Sequence, residues 1–347
     1  PYVHSGMTMS TKTQSDWPVL SRETWLAQIQ KEVPDHPGTV LIDDGILAHA
    51  FPYPDVNAYP QIPKRPGASW CVGIEIRDTQ MPGLRQKLLY CLEQGAEYIS
   101  LILPQGFTEA ECKHLLESVY LEAIVSRWTV QHADDHSRLH EFFRQHHVAH
   151  LPLYIAEVMD QSDVQFHPEK LTLVRFKRFQ IDAWANVLTN LLRNWSVAET
   201  VPTSLLAEIH LDHRILLNIA ACRAVRAVLQ KINSIYELHL DIRMEGRLDV
   251  SAQHPDVHTR IIGMGAIALS AATGGVDYLA FPPADAYADP SNLQWIKTTL
   301  HLQHILKLES FMDHPADPCA GSYYLEQLTN DIAVRLWNAV QTQMKND

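Results

Sequence analysis

A chain of 347 residues with 46% hydrophobic and 20% charged residues has the balance of an ordinary globular protein, with room for one large domain and an extension or for two modest domains. Its net charge of −12 argues against nucleic acid or an anionic membrane as the main partner, and no apolar run reaches the roughly 18 residues of a membrane span. The polar opening, Pro1 to Asp16, lacks the apolar core of a signal peptide, with Met7 or Met9 a candidate natural start. Cys71, Cys91, Cys112, Cys222 and Cys319 are odd in number and form no CxxC pair, which suits reduced thiols and a cytoplasmic location.

Residues 1–68 form a first regime. Ser21 and Glu23 open a helix running to Val33. Pro52, Pro54, Pro60, Pro63 and Pro66 then forbid regular hydrogen-bond ladders, so an extended arm is expected there, with Phe51, Tyr53 and Tyr59 as docking residues. From residue 69 to 347 apolar strands alternate with amphipathic helices. Strands are expected at 70–76, 98–104, 122–129, 151–157, 171–177, 205–211, 237–243 and 277–282. Helices fill 83–94, 108–118, 136–146, 183–195, 214–231, 256–273 and 292–309, and another follows Gly321 and Ser322. Such a β/α succession predicts an α/β protein, a (β/α)8 TIM barrel preceded by an extended N-terminal arm with one helix. Only the connection Asp160 to Lys170 reads as a plain loop. An open doubly wound sheet is the alternative, although no GxGxxG follows any strand.

Strand alternation carries a second message. Outward side chains must pack under helices, so Glu75, Arg175, Lys177, Glu208, His210, His239, Asp241 and Arg243 are expected on the inner face. Buried charges must pair or meet water or a ligand, so either a closed ion-pair network or a solvated channel follows. Chemistry is harder to find. His136 and His140 share a helix face at i,i+4, but no HExxH or cysteine cluster accompanies them or His132, His146, His147 and His150. The pairs His210/His213 and His301/His304 are no stronger. A metal-dependent barrel hydrolase built on these histidines is the reading they would support; no metal ligand set is assigned.

The string Asp317-Pro318-Cys319-Ala320-Gly321-Ser322-Tyr323-Tyr324-Leu325-Glu326-Gln327-Leu328-Thr329 closely resembles the Asp-Pro-x-Gly-Gly-Ser-Tyr-Tyr-x-Glu-x-Leu-Thr signature of methylmalonyl-CoA mutases. Upstream, His254 to Arg260 and Ala266 to Leu279 resemble that family's Asp-Pro-Tyr-x-Asn-x-x-Arg and Glu-Ala-x-x-Ala-x-x-Gly-Gly-x-x-x-Leu segments. Gln303, Lys307, Glu309 and Ser310 fall in its Arg-Asn-x-Gln…Glu-Glu helix, with Leu300 and His301 in place of the Arg and Asn. Trp25 and Asp44-Gly45-Ile46…Phe51-Pro52-Tyr53 resemble the opening of the family's small subunit. The likeness is strong over 254–337 and weak over 70–200.

The resemblance implies a barrel that holds an acyl-CoA along its axis while a separate domain presents adenosylcobalamin, whose radical chemistry rearranges the carbon skeleton. It also exposes departures. Lys177 to Ala185 aligns with Gly-Tyr-His-x-x-Glu-Ala-Gly-Ala, which puts Phe179 at the family's catalytic His. Ile242 to Leu248 replaces the neutral donors of His-x-Gln-Thr-Ser, Arg65 falls at a substrate-side Tyr, and Asp-x-His-x-x-Gly, the cobalamin motif, is absent. The chain stops at Asp347, where a catalytic subunit would continue into a cobalamin-binding domain. No catalytic residue is therefore assigned. The expectation is a small, non-catalytic subunit, inactive alone, in a heterodimer with a large subunit that carries the adenosylcobalamin; without that partner a homodimer is expected. The alternative is an active acyl-CoA mutase barrel of altered specificity using a separate cobalamin subunit, with Arg175, Lys177, Arg243 and Arg247 gripping the acyl-CoA.

Overall fold

The computed structural model describes residues 21–35, 38–43, 45–49, 63, 65–67, 69–146, 153–157, 163–167, 171–198, 203–249, 254–285 and 291–345. The chain divides into two units, Pro1–Val56 and Asn57–Asp347. In the first, Ser21 caps helix α1 (Arg22–Glu32), its hydroxyl accepting from Thr24 N at 3.2 Å. Strands β1 (Thr39–Asp43) and β2 (Ile46–His49) then form an antiparallel hairpin, with Gly45 at φ +74°. This hairpin was not expected; the Asp44-Gly45 pair, a turn dipeptide between apolar runs, was its signal. Most of the proline-rich arm, residues 50–62, lies outside the described residues.

The second unit alternates as the sequence predicts. Strand β3 (Gly73–Arg77) leads to helix α2 (Met81–Glu93), β4 (Tyr98–Ile102) to α3 (Glu109–Leu116), and β5 (Val125–Val130) to α4 (Ala133–Gln145). After β6 (Leu153–Glu157) comes β7 (Val164–His167), then β8 (Leu171–Phe176), α5 (Ile181–Val197), β9 (Ser204–Leu211) and α6 (Ile215–Ile235). The chain closes with β10 (Asp241–Leu248), α7 (Val257–Thr273), β11 (Tyr278–Leu279), α8 (Leu293–His304), a π-helical turn over Ile305–Glu309 and α9 (Tyr323–Lys345). Local signals set several starts. Thr108 and Glu111 form a reciprocal capping box on α3, Asp256 accepts from Thr259 N at 2.7 Å on α7, and Asn292 accepts from Gln294 N at 3.0 Å on α8.

The strands form two mainly parallel sheets, ordered β3-β4-β5-β6 and β11-β10-β9-β8-β7. Isolated parallel bridges, Cys71 to Tyr278 and Ile74 to Phe281, join them at one seam. At the other seam the expected loop is corrected: β7 pairs antiparallel with β8, Val164 opposite Val174 and His167 opposite Leu171. Arg175 N also donates to Asp163 O at 2.7 Å. The edge of β8 that β6 would need for a closed barrel is thus taken, and among the described residues no ladder joins β6 to the second sheet. A four-residue strand bounded by polar residues is too short for its period to stand out.

A second correction concerns β10, expected at 237–243 but running Asp241–Leu248. Glu237 and His239 adopt φ of +52° and +54°, which no strand tolerates, and Asn233 ties Leu240 back to the end of α6 through Leu240 N at 2.9 Å. His239 therefore precedes the strand rather than facing inward. Outside the first sheet, Ile74, Ile76, Leu101 and Trp128 pack against Leu84, Leu88, Leu139, Phe143 and Leu300 of the covering helices.

One close approach fixes how α8 meets β3. Gln303, fully buried, brackets Gly73: Gly73 N donates to its Oε1 at 3.0 Å, and its Nε2 donates to Gly73 O at 2.7 Å. A Cβ on Gly73 would lie 2.3 Å from Leu279 O and 2.8 Å from Tyr98 O. Backbone on both sides cannot move aside cheaply. Gly73→Ala is expected to cost about 3 kcal/mol, near the upper end for overpacking, read as a lowered urea midpoint with unchanged slope.

Candidate functional site

The faces that the two sheets turn toward each other carry charge at one level. Register aligns Glu75, Ser100, Arg127 and Tyr154 across β3 to β6, and Arg175, Glu208, Glu245 and Tyr278 across β8 to β11. Arg127 spans the gap, its Nη1 donating to Glu208 Oε2 at 2.6 Å and Glu245 Oε2 at 2.5 Å. All three are buried, at 3%, 4% and 0% exposure, so these are pairs withdrawn from water. Glu208 also meets His210 Nε2 at 2.6 Å and Arg175 Nε at 3.5 Å. Arg247 donates to Glu245 Oε1 at 3.0 Å and pairs with Glu75 across the gap. Tyr98, two residues before Ser100 on β4, stacks on Tyr278, ring centroids 4.6 Å apart, and the Tyr154 and Tyr278 hydroxyls are 3.2 Å apart. Of the two alternatives for the interior charges, the structure has the ion-pair network.

Electrostatics divides the two central carboxyls. Burial works against the ionised form of Glu208, but Arg127, the His210 hydrogen bond and Arg175 outweigh it and hold its pKa below the ordinary 4.5. Burial dominates at Glu245 and, with Glu208 nearby, raises its pKa although Arg127 opposes. Burial also pushes the Tyr278 phenol up to about 12 and raises Tyr98 and Tyr154, so these hydroxyls stay protonated at neutral pH.

A pH dependence follows. The depressed pKa of Glu208 adds stability above the unfolded-state pKa that is lost as pH falls through the folded one. The raised pKa of Glu245 acts in the opposite sense, favouring the folded state below the unfolded pKa and losing that favour as pH rises through its folded value. Titrating wild type and Glu208→Gln from about pH 7 to about pH 3, with the urea midpoint as readout, should show a smaller acid loss in the variant. An equal loss in both would remove Glu208 as its source.

The four arginine and lysine candidates do not converge. Arg175 lies in the central level, and Arg247 one level toward the C-terminal strand ends, opposite His210. Arg243 lies one level toward the N-terminal ends, opposite Leu206, and is held by Asp241 at 2.9 Å with Asp277 at 3.9 Å. Lys177 follows β8, is half exposed and pairs with Asp163 at 2.7 Å. Each has a carboxylate neighbour. Phe179 is buried and packs edge-on against Trp184, centroids 5.0 Å apart, while Trp184 Nε1 donates to Lys177 O at 3.0 Å. Arg65 is equally occupied, its Nη1 donating to Ala272 O and Val276 O at 3.2 Å. Among the described residues no group of three or more His, Cys, Asp or Glu is placed to hold a metal, and His147 and His150 lie outside them.

Sequence reasoning missed Arg127 and the inward role of Glu245. A lone charge in the otherwise uncharged strand Val125 to Val130 was the available signal, because only pairing makes it tolerable there. The C-terminal string has its own target. Arg223 of α6 donates through Nη2 to Asp317 Oδ2 and Glu326 Oε1, both at 2.9 Å, and through Nη1 to Thr329 Oγ1 at 3.1 Å. Gly321, at φ +83°, turns the loop so that its N–H reaches Glu326 Oε1 at 3.1 Å. Lys307 likewise binds Glu97 at 2.7 Å and Trp70 O at 3.0 Å. These motif residues dock elements onto each other.

Mainly parallel sheets with a buried charge layer, and a C-terminal helix clamped by an arginine, define a protein of the α/β class. Residues 197–345 match the sequence profile of the family described as methylmalonyl-CoA mutase. It is 35% identical over 82 residues to the methylmalonyl-CoA mutase small subunit of Porphyromonas gingivalis, covering 24% of this chain and 13% of that protein. It is 34% identical over 93 residues to the methylmalonyl-CoA mutase of Rhizobium meliloti, covering 26% and 13%. The matched stretch thus spans about an eighth of each relative's length. Among solved structures, dihydropteroate synthase of Yersinia pestis aligns over 71% of this chain and 93% of its own, at 12% identity and a TM-score of 0.38. No described helix is long and apolar enough to cross a membrane.

Proposed function

We propose that this chain is the small, non-catalytic subunit of a methylmalonyl-CoA mutase, a barrel-type scaffold that pairs with and stabilises a catalytic large subunit in the cytoplasm. The observation that carries this reading is the interior charge layer. Arg127, Glu208, Glu245 and the Tyr98, Tyr154 and Tyr278 rings occupy the space between the sheets, where the family's barrel would take an acyl-CoA along its axis. Phe179, at the position of the family's histidine, offers no hydrogen bond and is spent on packing against Trp184.

Adenosylcobalamin is assigned to the large subunit because the residues here do not fit it. Both Asp-x-His pairs, Asp134/His136 and Asp256/His258, are followed at the third position by Leu139 and Ile261 rather than glycine. Asp256 is moreover used to cap α7. For an active barrel of altered specificity, Arg175, Lys177, Arg243 and Arg247 would have to leave their carboxylates for the acyl-CoA. Co-expression with a tagged mutase large subunit tests the proposal: a stable complex whose activity depends on this chain is expected. Failure to co-purify, or full activity of the large subunit alone, would refute it.

A further inference from the structure

From Ile261 to Thr273 helix α7 carries no charged residue, although 20% of the chain is charged. Met264, Ile267, Ala268 and Ala271 are buried and take its inner face. Ile262, Ala266, Leu269 and Thr273, at helical spacing, form the opposite face, with Ile262 75% exposed and the others partly so. An open helix face is ordinarily polar, and an apolar one marks a surface that something covers. The face runs on into α8. Leu302 Cδ2 lies 3.7 Å from where a Cβ on Gly265 would sit, and beyond it Ile305 and Leu308 are 46% and 62% exposed. The π-helical turn sends Lys307 to Glu97 and Trp70 O, which takes its charge off the outer side. Arg260, just ahead of the face, is likewise drawn away, to Ala284 O at 2.7 Å and Asp285 at 3.0 Å.

Shape and charge together point to one occupant. Ile262 projects, while Thr259, Gly263 and Ala266 beside it are small, with open space where a Cβ on Gly263 would sit. Residues 259, 262, 263 and 266, spaced i, i+3, i+4 and i+7, bound a hole of the kind that receives a knob from a facing helix. Knob and hole lie on the same patch, so two copies related by a two-fold axis fill each other's hole, as an isologous interface requires. Charge agrees. Two copies at −12 each repel unless they meet through a face without carboxylates, and Ile261 to Thr273 has none. A basic partner would gain nothing from such a face.

We infer that the α7–α8 face is where a second copy of this chain docks, with Ile262 at the two-fold contact. The inference concerns the chain by itself and does not rest on pairing with a large subunit. Sedimentation velocity of the purified full chain, from about 1 to about 100 µM, should show a dimer at the upper end. Ile262→Asp sets two carboxylates against each other across the axis and should raise the dimer dissociation constant about a hundredfold or more. Gly263→Leu fills the hole without adding charge and should also dissociate the dimer. Because a helical glycine is replaced where space is open, its urea midpoint, measured below the dimer range, should rise, which separates lost docking from lost folding. Tyr120→Asp, on a side chain 78% exposed just before β5, should leave the dimer unchanged. A chain that stays monomeric at about 100 µM, a dimer that neither α7 variant weakens, or equal weakening by Tyr120→Asp would overturn the assignment.

Discussion

Arg127→Met is expected to be the most damaging single substitution between the sheets, costing about 4 kcal/mol of unfolding free energy. Arg127 makes the shortest contacts to both Glu208 and Glu245, which are 4% and 0% exposed. Without it, two carboxyls 2.5–2.6 Å from the lost guanidinium face each other without water, and one must take up a proton or the layer must open. Glu245→Gln is the informative contrast. Burial already favours the neutral form of Glu245, so the amide preserves the shape at a cost of about 1 kcal/mol while Arg127 keeps Glu208. Guanidinium unfolding followed by tryptophan fluorescence, with Trp128 beside Arg127, reads both. Equal and small losses in the two variants would mean that water reaches the layer and screens it.

Arg223→Met should produce the second large effect, about 3 kcal/mol, by a different route. Arg223 is 4% exposed, and the side chains of its partners Asp317 and Glu326 are 11% and 12% exposed. Its removal leaves two nearly buried carboxylates and an unpaired Thr329 hydroxyl at the start of α9. Because α9 lies against α5 and α6, the loss should appear first as faster hydrogen exchange in α9, ahead of global unfolding. Replacing the trio together, Arg223→Met with Asp317→Asn and Glu326→Gln, should recover much of the loss, since no buried charge then lacks a partner. If the triple variant is no better than the single one, the clamp contributes shape rather than charge.

These clamps also give the C-terminal signature its physical content. Asp317, Gly321, Glu326 and Thr329 are spaced so that one loop and one helical turn deliver two carboxylates and a hydroxyl to a single guanidinium. Gln303 and Lys307 act alike, holding α8 and the turn after it to Gly73, Glu97 and Trp70. Phe179 serves packing, lying against Trp184, and Arg247 serves pairing, meeting Glu75 and Glu245.

Hydrophobic period alone determined the alternation of strands and helices, most of their positions and the inward parity of Glu75, Arg175, Glu208 and His210, because these follow from residue spacing along the chain. Spacing could not show that Glu75 meets Arg247, that Arg127 spans to β9 and β10, or that Asp317 meets Arg223 94 residues away, because each pairing depends on which strands and helices lie opposite one another. Nor could it show β7 on the free edge of β8, or the late start of β10 after two residues at positive φ. The sequence determined which residues could carry charge inward. Only the tertiary structure decided that those charges answer one another across the two sheets, because a buried ion pair is made by proximity in space and leaves no period in the chain.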